Sequence, residues 1–262
     1  MNARAPERFE PWAWCAFALG LATLGVWLYL GSRPGDEAAR LAYRYGPLVL
    51  GLCAAVFMLG ALLFCLRRRP VLQRRRAWPL AVLGATLWLC SLPIAYPSAH
   101  EGKYSATRFR LPFEGAGRVL YGGEERARNP FLFDPSRRFG VCFEPAASGA
   151  ALLVVAPCAA TLEAVFEGPT GHGVVLRTAG AEFPVLEGLA EIPAFEVGAE
   201  ILEGTALGHA AARLTMYLAD EPGPGRGEGI PQRFSGYRLA GREVALGVPA
   251  AGQELEASPV SR

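Results

Sequence analysis

Three stretches of the chain, 12–30, 47–66 and 78–97, contain no Asp, Glu, Lys or Arg. Each approaches the roughly 20 apolar residues that carry a helix across a bilayer core. A helix is the open-chain form that satisfies its own backbone there. Residues 12–97 therefore read as a three-helix membrane anchor with the lipid bilayer as partner, and residues 98–262 must fold by themselves. Between the second and third stretches lie Arg67, Arg68, Arg69, Arg74, Arg75 and Arg76. Basic loops stay on the cytoplasmic side. The loop 31–46 carries Arg33, Arg40 and Arg44 offset by Asp36 and Glu37, while the tail 1–11 adds Arg4 and Arg8 to the inner side. Three crossings put the N-terminus inside and everything after Pro97 outside.

The first stretch reads as retained. Its apolar run is long for a cleaved leader, and Trp27-Leu28-Tyr29-Leu30 stands where small residues would mark a cleavage site. Trp12, Trp14, Trp27, Tyr29, Trp78 and Tyr96 sit near the segment ends, as interfacial aromatics do. Ala16 and Gly20, four apart, permit close helix approach. Cys15, Cys53, Cys65 and Cys90 fall in these stretches and read as small apolar residues.

The net charge of +2 leaves no basic face for nucleic acid. After a linker at 98–110, short apolar runs alternate with Gly, Pro and polar residues. These are Val119–Tyr121, Phe139–Phe143, Leu152–Ala156, Leu162–Phe166, Val174–Arg177, Phe183–Leu186 and Leu214–Leu218. Length and β-branched content make them strands. Many short strands with turn signals predict an all-β domain over 111–247, an antiparallel sandwich or open barrel. The chain turns Gly/Pro-rich from Ala219, and 248–262 reads as a flexible tail.

Ordered pieces carry a resemblance: Asn129-Pro130-Phe131; Arg137-Arg138-Phe139-Gly140-Val141-Cys142-Phe143; Val154 to Leu162; His172-Gly173-Val174-Val175-Leu176; Val197-Gly198-Ala199-Glu200-Ile201-Leu202-Glu203-Gly204-Thr205-Ala206-Leu207-Gly208; and Gly229-Ile230-Pro231-Gln232-Arg233-Phe234. Together they resemble the lysostaphin/LytM-type zinc endopeptidase domain over roughly 110–245. The resemblance implies a bacterial envelope setting and a strand core built on a duplicated hybrid motif. It also implies an ancestral activity of cutting peptide cross-links in peptidoglycan. That family holds zinc by the His of N-x-H, an Asp, and the second His of H-x-H. The first His of that pair and a further His in an A-H-L turn assist the chemistry. Carried over, the metal positions fall on Phe131, Cys142 and Thr215, and the assisting positions on Gly188 and Arg213.

A catalytic zinc needs about three N, O or S ligands and one open position. Phe131 cannot ligate, Thr215 is a poor neutral donor, and Arg213 brings a fixed positive charge toward a cation. Zinc is expected to be lost. His100, His172 and His209 read as loop histidines, with His209 near the old groove. Ser136, Ser148 and Thr161 lack a His–acid pair. Met216, Tyr217 and His209 are candidate groove-lining residues. Cys142 and Cys158 are the candidate disulfide pair, in a compartment where disulfides persist.

The expectation is a membrane-anchored, catalytically inactive LytM-like module that binds a cell-wall polymer or an envelope protein. Two alternatives stand beside it: an active endopeptidase with a rearranged zinc site, Cys142 with His209, and a structural subunit of a membrane complex.

Overall fold

The computed structural model describes residues 11–67, 74–122, 128–147 and 150–258. Arg4, Arg8, Arg68, Arg69 and Ser148 lie outside the described residues, as do the side chains of Arg74 and Arg75. Two compact units divide the chain at Pro97 and Ser98.

In the first unit, helices α1 (Pro11–Ser32), α2 (Glu37–Leu66) and α3 (Arg74–Ser91) each pack on the other two. Small side chains face inward. Ala16 and Ala54 are fully buried, whereas Leu21, Leu28 and Leu48 are 70%, 73% and 71% exposed. A Cβ on Gly20 would stand 2.9 Å from Val82 of α3. Small residues inside and leucines outside suit a lipid surrounding, where close packing rather than exclusion of water joins helices.

Two of these helices, α1 with 22 residues and α2 with 30, are long and apolar enough to cross a membrane. The bounds of the third expected span, 78–97, are corrected, and its helix is not among those two. Helix α3 has 18 residues and spends its first three on Arg74, Arg75 and Arg76. It stops at Ser91 instead of 97, because Pro93 follows and a residue before proline leaves the helical region. Helix α2 starts ten residues before the expected 47, where the Asp36 side chain accepts from the Ala38 amide at 3.3 Å. A charge-free window locates the middle of a helix, while its ends are set by caps.

The second unit is an antiparallel all-β domain. Its strands are β1 (Phe113–Glu114), β2 (Ala116–Gly122), β3 (Val141–Pro145), β4 (Leu153–Val155), β5 (Ala160–Gly168), β6 (Gly171–Arg177), β7 (Phe183–Leu189), β8 (Glu200–Ile201), β9 (Ala206–Ala219), β10 (Phe234–Leu239), β11 (Arg242–Gly247) and β12 (Glu254–Ala257). The order is β11-β10-β12-β2-β3-β9-β7-β6-β5-β8, with β4 joining β1 to β9. Strand β9 is the hinge of the arrangement. Its first half pairs with β4 and its second with β3 and β7.

Side chains alternate along these strands. One face buries Val119, Val141, Phe143, Val174, Leu176, Leu186, Leu214, Met216 and Leu218 in the main core. The opposite face carries a smaller cluster of Val175, Phe183, Val185 and Tyr217.

Both flanking segments need correction. The 98–110 stretch is tied to the β unit. Phe109 is fully buried and bridges Phe234, and Ser105 Oγ donates to Glu182 Oε2 at 2.6 Å. The expected flexible tail contains β12, which inserts between β10 and β2. Leu255 supplies the reason: it alternates with Glu254 and Glu256 and is buried in the core.

Candidate binding groove

The outer face of β2, β3, β9 and β7 gathers most of the candidate site residues. Cys142 of β3 stands in register with Tyr121 of β2 on one side and Thr215 of β9 on the other. Thr215 in turn faces Glu187 of β7. Because Val141 and Phe143 enter the main core, Cys142 points the other way. Arg213, two residues before Thr215, shares that face and is exposed. It places its charge near the Tyr121 hydroxyl and Cys142.

Phe131 reaches the cluster from a 3-10 turn, Pro130–Phe133. Asn129 caps that turn, accepting from the Phe131 amide at 2.9 Å, and its amide group donates to the Arg138 carbonyl at 3.1 Å. Phe131 then packs on Tyr121 with ring centroids 5.6 Å apart. Phe131, Cys142, Arg213 and Thr215 are thus brought to one patch, with Tyr121 linking them.

Beneath the patch lies a second polar group. Arg137 Nη2 donates to Glu187 Oε1 at 2.6 Å, and the Tyr217 hydroxyl donates to the same oxygen at 3.1 Å. The Arg137 guanidinium also lies over the Tyr217 ring, 5.5 Å from its centroid. Burial drives the Tyr217 phenol well above its ordinary range, and the Glu187 charge adds to the effect. Tyr217 therefore stays a neutral donor.

Several expectations change. Met216 is a core residue, because it alternates with Thr215 and Tyr217 and so points to the opposite face. Tyr217 lies on the groove side but is fully buried. His209 belongs to the other half of β9, in register with Leu153. Six residues of sequence separate it from Thr215, and β9 is irregular between them, since Ala210 and Thr215 stand opposite Leu189 and Glu187 of β7.

Gly188 lies inside β7 at a register shift between Glu187 and Leu189, not on an exposed turn. Its φ is +104°, and a Cβ there would collide with the Arg213 carbonyl oxygen. The position as folded leaves no room for a side chain.

Cys142 and Cys158 are both free. Cys158 lies in the main core, on the opposite side of the sheet from the Cys142 side chain. Burial raises the Cys142 thiol above its ordinary value, opposed by hydrogen bonds with Thr215 and Tyr121. The Cys158 thiol is pushed up to about 12, by burial first and then by Glu203 and Glu182. Both stay protonated near neutrality without a metal, which makes them poor nucleophiles.

The divalent metal implied by the resemblance does not fit this donor set. Phe131 offers a ring, Thr215 a neutral hydroxyl, and Cys142 a thiol held protonated beside a guanidinium. Among the described residues, no group of three or more His, Cys, Asp or Glu side chains is placed to hold a metal ion.

Tyr121, Arg137 and Glu187 escape a reading of the sequence. Strict alternation sends Tyr121 into the core with Val119, but a register shift between them turns it outward onto Cys142. Glu187 resembles a solvent-facing glutamate of the kind common on strands, and only the fold brings Arg137 to it. A separate cleft of about 430 Å³, lined by Thr161, Arg177, Thr178 and Glu200 among others, shares no residue with this patch.

No known protein family and no curated protein matches the sequence. Solved structures show partial likeness. A chain of the SpoIIQ–SpoIIIAH pore-forming complex is similar over 48% of this chain and 89% of its own, at 13% identity and a TM-score of 0.36. The M23 metalloprotease pseudoalterin from the deep sea is similar over 52% and 82%, at 11% and 0.38. The catalytic domain of the antimicrobial peptidase lysostaphin from Staphylococcus simulans is similar over 42% and 83%, at 14% and 0.30. With TM-scores below 0.5, none of these likenesses carries an argument about this chain.

Proposed function

We propose that the chain is a membrane-anchored LytM-like module whose groove binds a ligand instead of cutting it. The reading rests on one observation. The patch that collects Phe131, Cys142 and Thr215 offers no donor set for a divalent cation and presents a cation of its own, Arg213. Without a metal to lower the pKa of an attacking water, the patch retains recognition surface: an aromatic wall, a hydroxyl, and a guanidinium. Its ligand belongs to the bacterial envelope, a peptide-bearing cell-wall polymer or an envelope protein.

The decisive measurement is metal content and cleavage by the purified full chain in detergent. The expected result is far less than one zinc per chain and no release of peptide fragments from purified cell wall. Stoichiometric zinc together with cleavage that Cys142→Ala abolishes overturns the reading.

The setting we assign is the cytoplasmic membrane, N-terminus inside and β unit outside. That placement requires α3 to cross as well, its arginine end at the inner headgroups. Eighteen helical residues rise about 27 Å, and 92–97 continue without charge. Alkaline phosphatase, which needs disulfides formed outside the cytoplasm, tests this when fused after Ser258. An active fusion is expected, and an inactive but intact one reverses the orientation.

A further inference from the structure

The outer-face patch contains an arginine that nothing in the fold needs. Arg213 is exposed, and among the described residues it has no ion-pair partner. The carboxylates on this face are already engaged, Glu187 by Arg137 and Tyr217 and Glu144 by Arg118. Its charge lies near the Tyr121 hydroxyl, and its backbone carbonyl lies against Gly188. Tyr121 and Phe131 form an aromatic pair immediately beside it. The Thr215 hydroxyl lies on the same face two residues along. A guanidinium suits a carboxylate, which it meets with two parallel N–H donors. An aromatic wall next to it suits an apolar side chain near that carboxylate.

We propose that this groove takes a peptide with a free C-terminal carboxylate. The carboxylate lies on Arg213, and the terminal side chain lies on Tyr121 and Phe131. The proposal rests on the reading of this face as a binding groove and adds the class of ligand. It assigns Arg213 a positive role: a permanent cation stands beside the position where a metal-dependent relative would need its ligands, and it recognises the acid without activating water.

The probes are acetyl-Gly-Ala-Leu as the free acid and as the carboxamide, each titrated into the full chain in detergent. The acid is expected to bind at least tenfold more tightly than the amide, and its affinity should fall as salt rises. Arg213→Gln should remove the difference between the two. Arg213→Lys should keep the preference for the acid but weaken it, because the forked geometry is lost. Phe131→Ala should weaken acid and amide alike. Equal binding of acid and amide overturns the carboxylate assignment while leaving a binding groove in place. So does an unchanged preference in Arg213→Gln. Binding of neither peptide at millimolar concentration also overturns the assignment. The separate zinc and cleavage measurement decides the broader reading whatever the peptides do.

Discussion

Phe143→Ala is expected to destabilise the β unit by about 4 kcal/mol, close to the limit of what such a domain can lose. Phe143 is fully buried in β3. It packs edge-on against Phe113 at 5.2 Å and Phe234 at 6.0 Å between ring centroids. Those rings come from β1 and β10, so one side chain joins the first strand, the middle of the sheet and the late strands. Truncating a buried Phe costs roughly 3–5 kcal/mol through lost transfer energy and the cavity left behind. Single domains hold only about 5–15 kcal/mol in total. At roughly 2–4 °C per kcal/mol for a unit of this size, the thermal midpoint for protection of the β unit from protease should fall by about 10 °C. Phe133→Ala is the control, since Phe133 is 47% exposed and should change the midpoint little. Equal shifts for the two variants would mean that the aromatic junction does not hold the fold together.

The aromatic junction also shows which parts of the fold are readable in advance. Phe143 ends a short run of aromatic and apolar residues, Phe139 to Phe143, and such runs declare themselves as strands. The runs around Val119, Leu162, Val174, Val185 and Leu214 are of the same kind, and each lies in a strand. Strands β10, β11 and β12 do not declare themselves. Their sequences, Phe234–Leu239, Arg242–Gly247 and Glu254–Ala257, mix charge and glycine with few apolar residues, because much of each faces solvent. What makes them strands is a partner. Leu255 is useful only once β2 and β10 flank it.

The patch is partly legible for a related reason. Motif positions identify Phe131, Cys142, Arg213 and Thr215, and alternation alone can separate Met216 from Tyr217, since neighbours on a strand face opposite ways. Tyr121 is hidden because a bulge breaks that alternation. The positive φ of Gly188 and its lack of space are properties of the folded backbone that no motif announces. The Arg137–Glu187 pair spans fifty residues of sequence, and no local pattern announces it.

Glu187→Ala should be the second severe change, at about 3 kcal/mol. The Glu187 side chain is 7% exposed and that of Arg137 is 28% exposed. Removing the carboxylate leaves a guanidinium over the Tyr217 ring with only the half-exposed Asp134, 4.0 Å from Nε, as counter-charge, and Nε itself makes no hydrogen bond. It also leaves the buried Tyr217 hydroxyl without its acceptor. Breaking a fully buried pair by taking one member costs roughly 3–5 kcal/mol, and the partial exposure of Arg137 puts this case at the lower end. Tyr217→Phe removes one hydrogen bond and should cost about 1 kcal/mol. The informative measurement is the cycle with Arg137→Ala. Once Arg137 is gone, losing Glu187 no longer strands a charge, so the double variant should be more stable than the summed single effects imply by about 1–3 kcal/mol. Additive losses would show that Glu187 and Arg137 act separately. The same cycle bears on the groove above the pair. With Glu187 engaged by Arg137 and Glu144 by Arg118, Arg213 has no ion-pair partner among the described residues. In Arg137→Ala the freed carboxylate competes for Arg213, so the preference for an acid over an amide ligand should shrink although Arg213 itself is unchanged.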